Sequence, residues 1–130
     1  MKIIIQKFGG TSVSTEERRK MVVKKINNAI KEGYMPVVVV SALGRYGEPY
    51  ATDTLLSLVD TDFKQNNRQA LDMLMCCGEM ISSVIMCNEL KKEGIDAIPL
   101  TGGQAGIITN DSFGDAKVLD VKSDNIKKCF

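Results

Sequence analysis

The sequence predicts an α/β fold built on a mainly parallel sheet. Two unbroken β-branched runs, Ile3-Ile4-Ile5 and Val37-Val38-Val39-Val40, flank a segment with helical apolar spacing. A strand, a helix and a strand within so short a length make a parallel βαβ unit. Glycine pairs follow apolar runs at Gly9-Gly10 and Gly102-Gly103, where parallel α/β proteins place their ligand loops. The composition is that of an ordinary globular domain: 130 residues, 44% hydrophobic and 25% charged, enough for one core.

Each element follows from local chemistry. Lys2 to Gln6 reads as a short strand buried on both faces. Phe8 to Ser12 is a turn-rich break. Ser14-Thr15-Glu16-Glu17 fits a capping box, with Ser14 as N-cap and Glu17 at N3. The helix after it carries Val22, Ile26, Ala29 and Ile30 on one face, and Gly33 ends it as a left-handed cap. Met35 to Ala42 is the second buried strand. Leu43 to Ala51, with Gly44, Gly47 and Pro49, is a loop. Thr52 or Asp53 caps a short helix through Val59. Asn66 to Glu93 is one long or broken helix, interrupted by Gly78 at a cost of ~1 kcal/mol relative to Ala and ended by Gly94. Ile95 to Leu100 is a third strand, and Thr101 to Gly106 a second glycine-rich loop. Lys117 to Val121 is a further short strand. Ser123 starts a last helix that has barely begun at Phe130, and the chain reads as an N-terminal piece of something larger.

Composition also excludes function classes. There is no histidine, which removes the commonest general base, serine–histidine triads and histidine metal sites. The four cysteines form no C-x-x-C pair, so zinc ribbons and thioredoxin-type motifs are not expected. They read as reduced core thiols, and Met73, Met75, Met80 and Met86 as core. A net charge of +1 gives no electrostatic case for nucleic acid. The longest uninterrupted apolar run, Met73 to Cys77, is far short of a membrane span, and the N-terminal apolar stretch is too short for a signal peptide. The expectation is a soluble cytoplasmic protein with no nucleic-acid or membrane partner.

Any chemistry must then use Lys, Ser, Thr, acidic and backbone groups. Lys7-Phe8-Gly9-Gly10-Thr11-Ser12 lies between a buried strand and a helix. Glycines there let backbone N–H groups approach phosphate oxygens. The next helix N-terminus favours an anion, and Lys7 adds a point charge. The segment matches neither the P-loop nor the G-x-G-x-x-G pattern. The plainer alternative is a tight turn with an exposed lysine.

Five segments together resemble the aspartate kinases of the amino-acid kinase superfamily. They are Lys7-Phe8-Gly9-Gly10-Thr11-Ser12-Val13, Val39-Val40-Ser41-Ala42-Leu43-Gly44, Thr52-Asp53-Thr54-Leu55-Leu56, Cys77-Gly78-Glu79 and Thr101-Gly102-Gly103-Gln104-Ala105-Gly106-Ile107. They occur in the family's order and span nearly the whole chain. The resemblance implies a three-layer α/β/α sandwich around a mainly parallel sheet, of which this chain is the N-terminal portion. It implies ATP-dependent phosphorylation of the L-aspartate β-carboxylate, with ATP and Mg²⁺ required by the intact enzyme and no metal ligand nameable here. A carboxylate nucleophile is already ionised at pH 7, so the missing histidine fits.

By the same resemblance Lys7 is catalytic and stabilises the transferring phosphoryl group. Lys7, Phe8, Gly9, Gly10 and Ser41 face the nucleotide phosphates. Thr52 and Glu79 bind aspartate, Glu79 through the substrate ammonium. Each has a plainer alternative: Ser41 as a strand-end serine, Thr52 as a helix cap, Glu79 as an exposed helix glutamate. Gln104 and Ala105 receive no chemical role. The loop Arg45 to Ala51 is longer than the family pattern. The family's G-R-G-G-S-D and T-D-x-D-G-x-x-x-x-D-P-R segments and its C-terminal ACT domains do not occur in this sequence. The expected assembly is a homo-oligomer. The competing functions are another amino-acid kinase, against which Phe8 and Thr11 weigh, and a stand-alone non-catalytic phosphate- or amino-acid-binding module.

Overall fold

The two β-branched runs pair as parallel strands in the computed structural model, which describes residues 2–130. Strand β1 (Lys2–Phe8) lies beside β2 (Tyr34–Val40), in register from Lys2 opposite Tyr34 to Phe8 opposite Val40. Pro36 is tolerated because β2 keeps an open edge. Between the strands run a single turn, α1 (Gly10–Val13), and a long helix, α2 (Glu16–Lys31). After β2 come α3 (Thr52–Leu56), α4 (Thr61–Asn66) and α5 (Arg68–Lys92). An antiparallel pair, β3 (Ile107–Thr109) and β4 (Val118–Val121), and a last turn, α6 (Asp124–Lys127), complete the order.

The core lies on one face of the parallel pair. Val22, Val23 and Ile26 of α2 meet Met86 and Leu90 of α5 there, with Phe8, Val38 and Val40 packed against them. The predicted face of α2 is therefore the buried one, except for Ile30, which reaches solvent at its rim. The other face of the sheet is open. Ile5 is 71% exposed, and Ile3 and Val39 are exposed beside it. The expectation of strands buried on both faces is corrected on that point: among the described residues, helices cover one face, so two of the three expected layers are built.

Cap chemistry shifts one boundary. Ser14 is helical and its hydroxyl donates to Thr11 O (2.9 Å), closing α1. The N-cap of α2 is therefore Thr15, whose extended backbone lets Oγ1 accept from Arg18 N–H (3.3 Å). N3 is then Arg18, not Glu17, and no capping box forms. Glu16 instead pairs with Lys20 one turn on (2.9 Å), an exposed bond that holds its carboxyl below the usual range and raises Lys20. Gly33 and Gly94 both adopt the expected left-handed conformation, at φ +84° and +75°.

The long apolar stretch divides at Asn67, where φ −132° and ψ 56° break the helix. Asp60 caps the preceding turn, accepting from Phe63 N–H at 2.8 Å. In α5 the stripe Gly78, Ser82, Met86, Glu89 and Leu90 is buried. By length and composition α5 is apolar enough to cross a membrane, with a mean hydropathy of 1.6 over its most apolar window. The uninterrupted-run criterion missed this because Gly78, Glu79, Ser82 and Ser83 punctuate it. The helix packs against α2, α3 and β2. Its opposite side is open: Met73 is 70% exposed and Met80 is also exposed. Cys76, Cys77 and Cys129 are exposed free thiols and Cys87 is half-buried. The core reading of the cysteines and methionines therefore holds only for Met86, because the apolar residues of α5 encircle the helix while one stripe is covered.

Ile95 to Leu100 forms no strand. Ile95 N–H is already taken by Leu90 O (3.0 Å), Pro99 has no donor to give a ladder, and Ile98 is 62% exposed. The glycine-rich turn after it is closed reciprocally. Gln104 Oε1 accepts from Thr101 N–H (2.9 Å), and Thr101 Oγ1 accepts from Gln104 N–H (3.3 Å). Gln104 thus shapes a turn. Gly106, at φ +89°, lets Lys122 O approach where a Cβ would overlap it.

Candidate functional site

The carboxyl ends of β1 and β2 meet at one edge, and two loops leave from there. Ser41 N–H donates to Phe8 O (3.2 Å), which extends the ladder by one bond. Gly44 N–H donates to Gly10 O (3.0 Å) and ties the loops together. Gly10 has no room for a side chain: a Cβ would lie 2.6 Å from Ala42 O and 2.8 Å from Gly44 O. Gly9 differs. Its φ is −74°, and a Cβ there would meet nothing within 4 Å. Folding does not require glycine at position 9, whereas close approach of a ligand to bare backbone would.

A cleft of about 440 Å³ opens between the loops. Gly10, Ser41 and Thr52 line it together with Arg45 and Asp53. Sequence reasoning placed the first three at the site, and the structure brings them to one cavity. Lys7 stands on β1 opposite Val39, exposed on the open sheet face, two residues before the Gly9 N-cap. Phe8 points the other way: its side chain packs on the core and its carbonyl is taken by Ser41, so its side chain is not available to a ligand. Glu79 is half-buried on α5, outside the cleft lining. It follows Gly78, which packs so closely on the cleft wall that a Cβ would stand 2.8 Å from Ala42 Cβ. No ion pair engages Glu79 among the described residues.

Thr52 is the first residue of α3, and the N-cap is the buried Ala51. The cap role expected for Thr52 or Asp53 is therefore corrected, because the chain turns helical one residue earlier and leaves the Thr52 hydroxyl without a capping bond. The helix-dipole argument also weakens. The glycines open a one-turn helix, and the 16-residue helix begins later with Glu16 and Glu17 in its first turn. A macrodipole needs length, and acidic groups already occupy that end.

The single turn α1 is held from outside, by residues that sequence reasoning did not single out. Arg18 Nη1 donates to Thr11 O (3.0 Å), and Arg19 Nη1 to Val13 O (2.9 Å) and Ser14 O (3.2 Å). Arg45 Nε donates to Thr11 Oγ1 (2.9 Å) across the cleft. Arg45 was findable, since it follows Gly44 at the end of a parallel strand. The arginines of α2 were not, because nothing in their spacing distinguishes them from a solvated helix face.

The cleft thus gathers bare backbone at Gly10 and hydroxyls at Ser41 and Thr52, with Arg45 and Asp53 completing its polar lining. Among the described residues no group of three His, Cys, Asp or Glu side chains could hold a metal ion.

Comparison with known proteins agrees with this architecture. The chain is 49% identical over 126 residues to aspartokinase 1 of Bacillus subtilis (strain 168), a match covering 97% of this chain and 31% of that protein. It is 36% identical over 129 residues to the aspartokinase of Geobacillus stearothermophilus, covering 99% of this chain and 30% of the relative. The crystal structure of aspartate kinase from Synechocystis superposes with a TM-score of 0.75 at 33% identity, over 98% of this chain and 20% of that one. The chain thus spans about a third or less of the length of these relatives. The family model for the amino acid kinase family matches residues 2–130, and with the parallel sheet edge and its paired loops this establishes that the chain belongs to the amino acid kinase family.

Proposed function

We propose that this chain is the N-terminal part of an aspartate kinase catalytic domain and contributes the phosphate-facing half of its site. The observation that carries the reading is the convergence of Gly10, Ser41 and Thr52 on one cleft in a chain 49% identical to an aspartokinase. ATP supplies the phosphoryl group, and the acceptor is the β-carboxylate of L-aspartate, which needs no base at neutral pH. The protein's task is then positioning and charge neutralisation. The Lys7 ammonium, exposed near the end of β1, would offset phosphate charge as it develops. Gly9 and Gly10 offer backbone donors. Ser41 and Thr52 offer hydroxyls. Glu79 offers a carboxylate to the substrate ammonium from the α5 side.

In this reading the rest of the kinase domain and the regulatory ACT domains are contributed by further polypeptide, and the 130 residues alone do not turn over. A homo-oligomeric assembly belongs to the same reading. In the 130 residues alone, the exposed Ile3, Ile5 and Val39 leave an apolar face open to self-association, which sedimentation velocity measures.

The test is a chimera in which residues 2–130 replace the matching segment of aspartokinase 1. Aspartate-dependent ADP release by the chimera, lost in Lys7→Ala, is the expected result. A folded chimera that releases no ADP would refute the proposal.

A further inference from the structure

The cleft lining contains one cation, Arg45, to which the reading above gives no part in binding substrate. Arg45 lies in the loop that is longer than the family pattern. It is fixed at both ends: its backbone N–H donates to the Glu48 carboxylate, and its Nε donates to Thr11 Oγ1 (2.9 Å). Neither bond uses the terminal nitrogens of the guanidinium. Among the described residues no carboxylate lies within ion-pair distance of it, although Asp53 lines the same cleft. The Ser41 and Thr52 hydroxyls border the same space.

An arginine held in this way is pre-organised. Its planar fork matches two oxygens of a carboxylate or phosphate, and much of the entropy of ordering the side chain is already spent. Gly44, at φ +80°, brings the loop so near Glu48 that a Cβ would overlap its carboxylate, and this turn presents Arg45 to the cleft.

We propose that Arg45 is a specificity-determining residue that binds a substrate oxyanion directly, through its terminal nitrogens, in the cleft bordered by Ser41 and Thr52. The inference rests on the kinase reading and adds to it a contact to one substrate. The shared chemistry is a pair of coplanar oxygens, and the two sources are the carboxylate of the amino acid and the phosphate chain of the nucleotide.

Two measurements test it. In the chimera labelled with ¹⁵N-arginine, the Arg45 Nε–Hε resonance is followed during titration with L-aspartate and, separately, with inorganic tripolyphosphate. A saturable shift with one of them supports the proposal and names the source. No shift with either overturns it, and this result does not depend on turnover. In the active chimera, Arg45→Met should raise KM for that one substrate about 10- to 100-fold, the range for loss of a charge-assisted bond, with Arg45→Lys recovering part of it. Thr11→Val, which removes the tether but keeps the charge, should cost only a few-fold. An unchanged KM for both substrates in Arg45→Met would overturn the contact. So would equal losses in Thr11→Val and Arg45→Met, which would make Arg45 a tether acting through Thr11. A chimera without activity would count against the kinase reading alone, since the resonance still reports on Arg45.

Discussion

Gly10→Ala is the substitution that most directly probes how the site is built. The added Cβ would stand 2.6 Å from Ala42 O and 2.8 Å from Gly44 O. Both are backbone atoms, so no side chain can swing away. The loop after β2 must retreat by at least about 0.4 Å to restore the 3.0 Å that Cβ contacts need. That movement strains the Gly44 N–H bond to Gly10 O (3.0 Å), worth about 1 kcal/mol, and overpacking adds roughly 1–3 kcal/mol. The alanine gains back about 0.4–1 kcal/mol through the unfolded chain. The net expectation is a loss of about 1–3.5 kcal/mol. Urea unfolding of the 130-residue chain, followed by circular dichroism, should show a lower midpoint at unchanged slope. A midpoint at or above wild type would refute the close-approach argument.

The neighbouring glycine should behave oppositely: Gly9→Ala meets open space and should keep or raise the urea midpoint, while lowering turnover of the chimera about 10-fold or more by blocking backbone approach to phosphate. Ser82 is wholly buried with no partner for its hydroxyl, so Ser82→Ala should be neutral or stabilising by up to about 1 kcal/mol; a loss above that would reveal a bond the structure does not contain. Burial pushes the Cys87 thiol up, whereas Cys76, Cys77 and Cys129 are exposed, so a thiol reagent at pH 8 should label three groups quickly and one slowly. Because the folded chain holds that proton more tightly than the unfolded chain, Cys87 contributes stability fully below the ordinary thiol range and loses it as pH climbs through that range. The unfolding free energy should therefore fall more steeply above pH 9 in wild type than in Cys87→Ala, and equal slopes would remove burial as the cause.

Much of this site was legible because its signals are local. The β-branched runs, the α2 face at Val22, Ile26 and Ala29, and the left-handed Gly33 and Gly94 each follow from a few neighbouring residues. That Gly10, Ser41 and Thr52 come to one cleft was legible from the order of their segments along the chain. What was not legible depends on contacts between distant segments. Whether Ile5 is buried is decided by what covers the second face of the sheet, not by its own β-branch. Ile95 to Leu100 has the apolar content of a strand, but its first donor is used by Leu90. The cap moved from Ser14 to Thr15 because Ser14 closes α1, a turn too short to leave a periodic signal. The exposed cysteines and methionines of α5 were misread because an apolar residue records a preference for cover and not the presence of it.

The central claim is that the β1 and β2 loop ends of this chain form the phosphate-facing half of a carboxylate kinase. Single-turnover phosphoryl transfer in the chimera, with and without Lys7→Ala, tests it most directly. The expected result is aspartate-dependent formation of an acyl phosphate in the unsubstituted chimera, with a rate constant lowered by roughly 10²-fold or more in Lys7→Ala at nearly unchanged KM for aspartate. A Lys7→Ala chimera that transfers phosphate at the unsubstituted rate would contradict it.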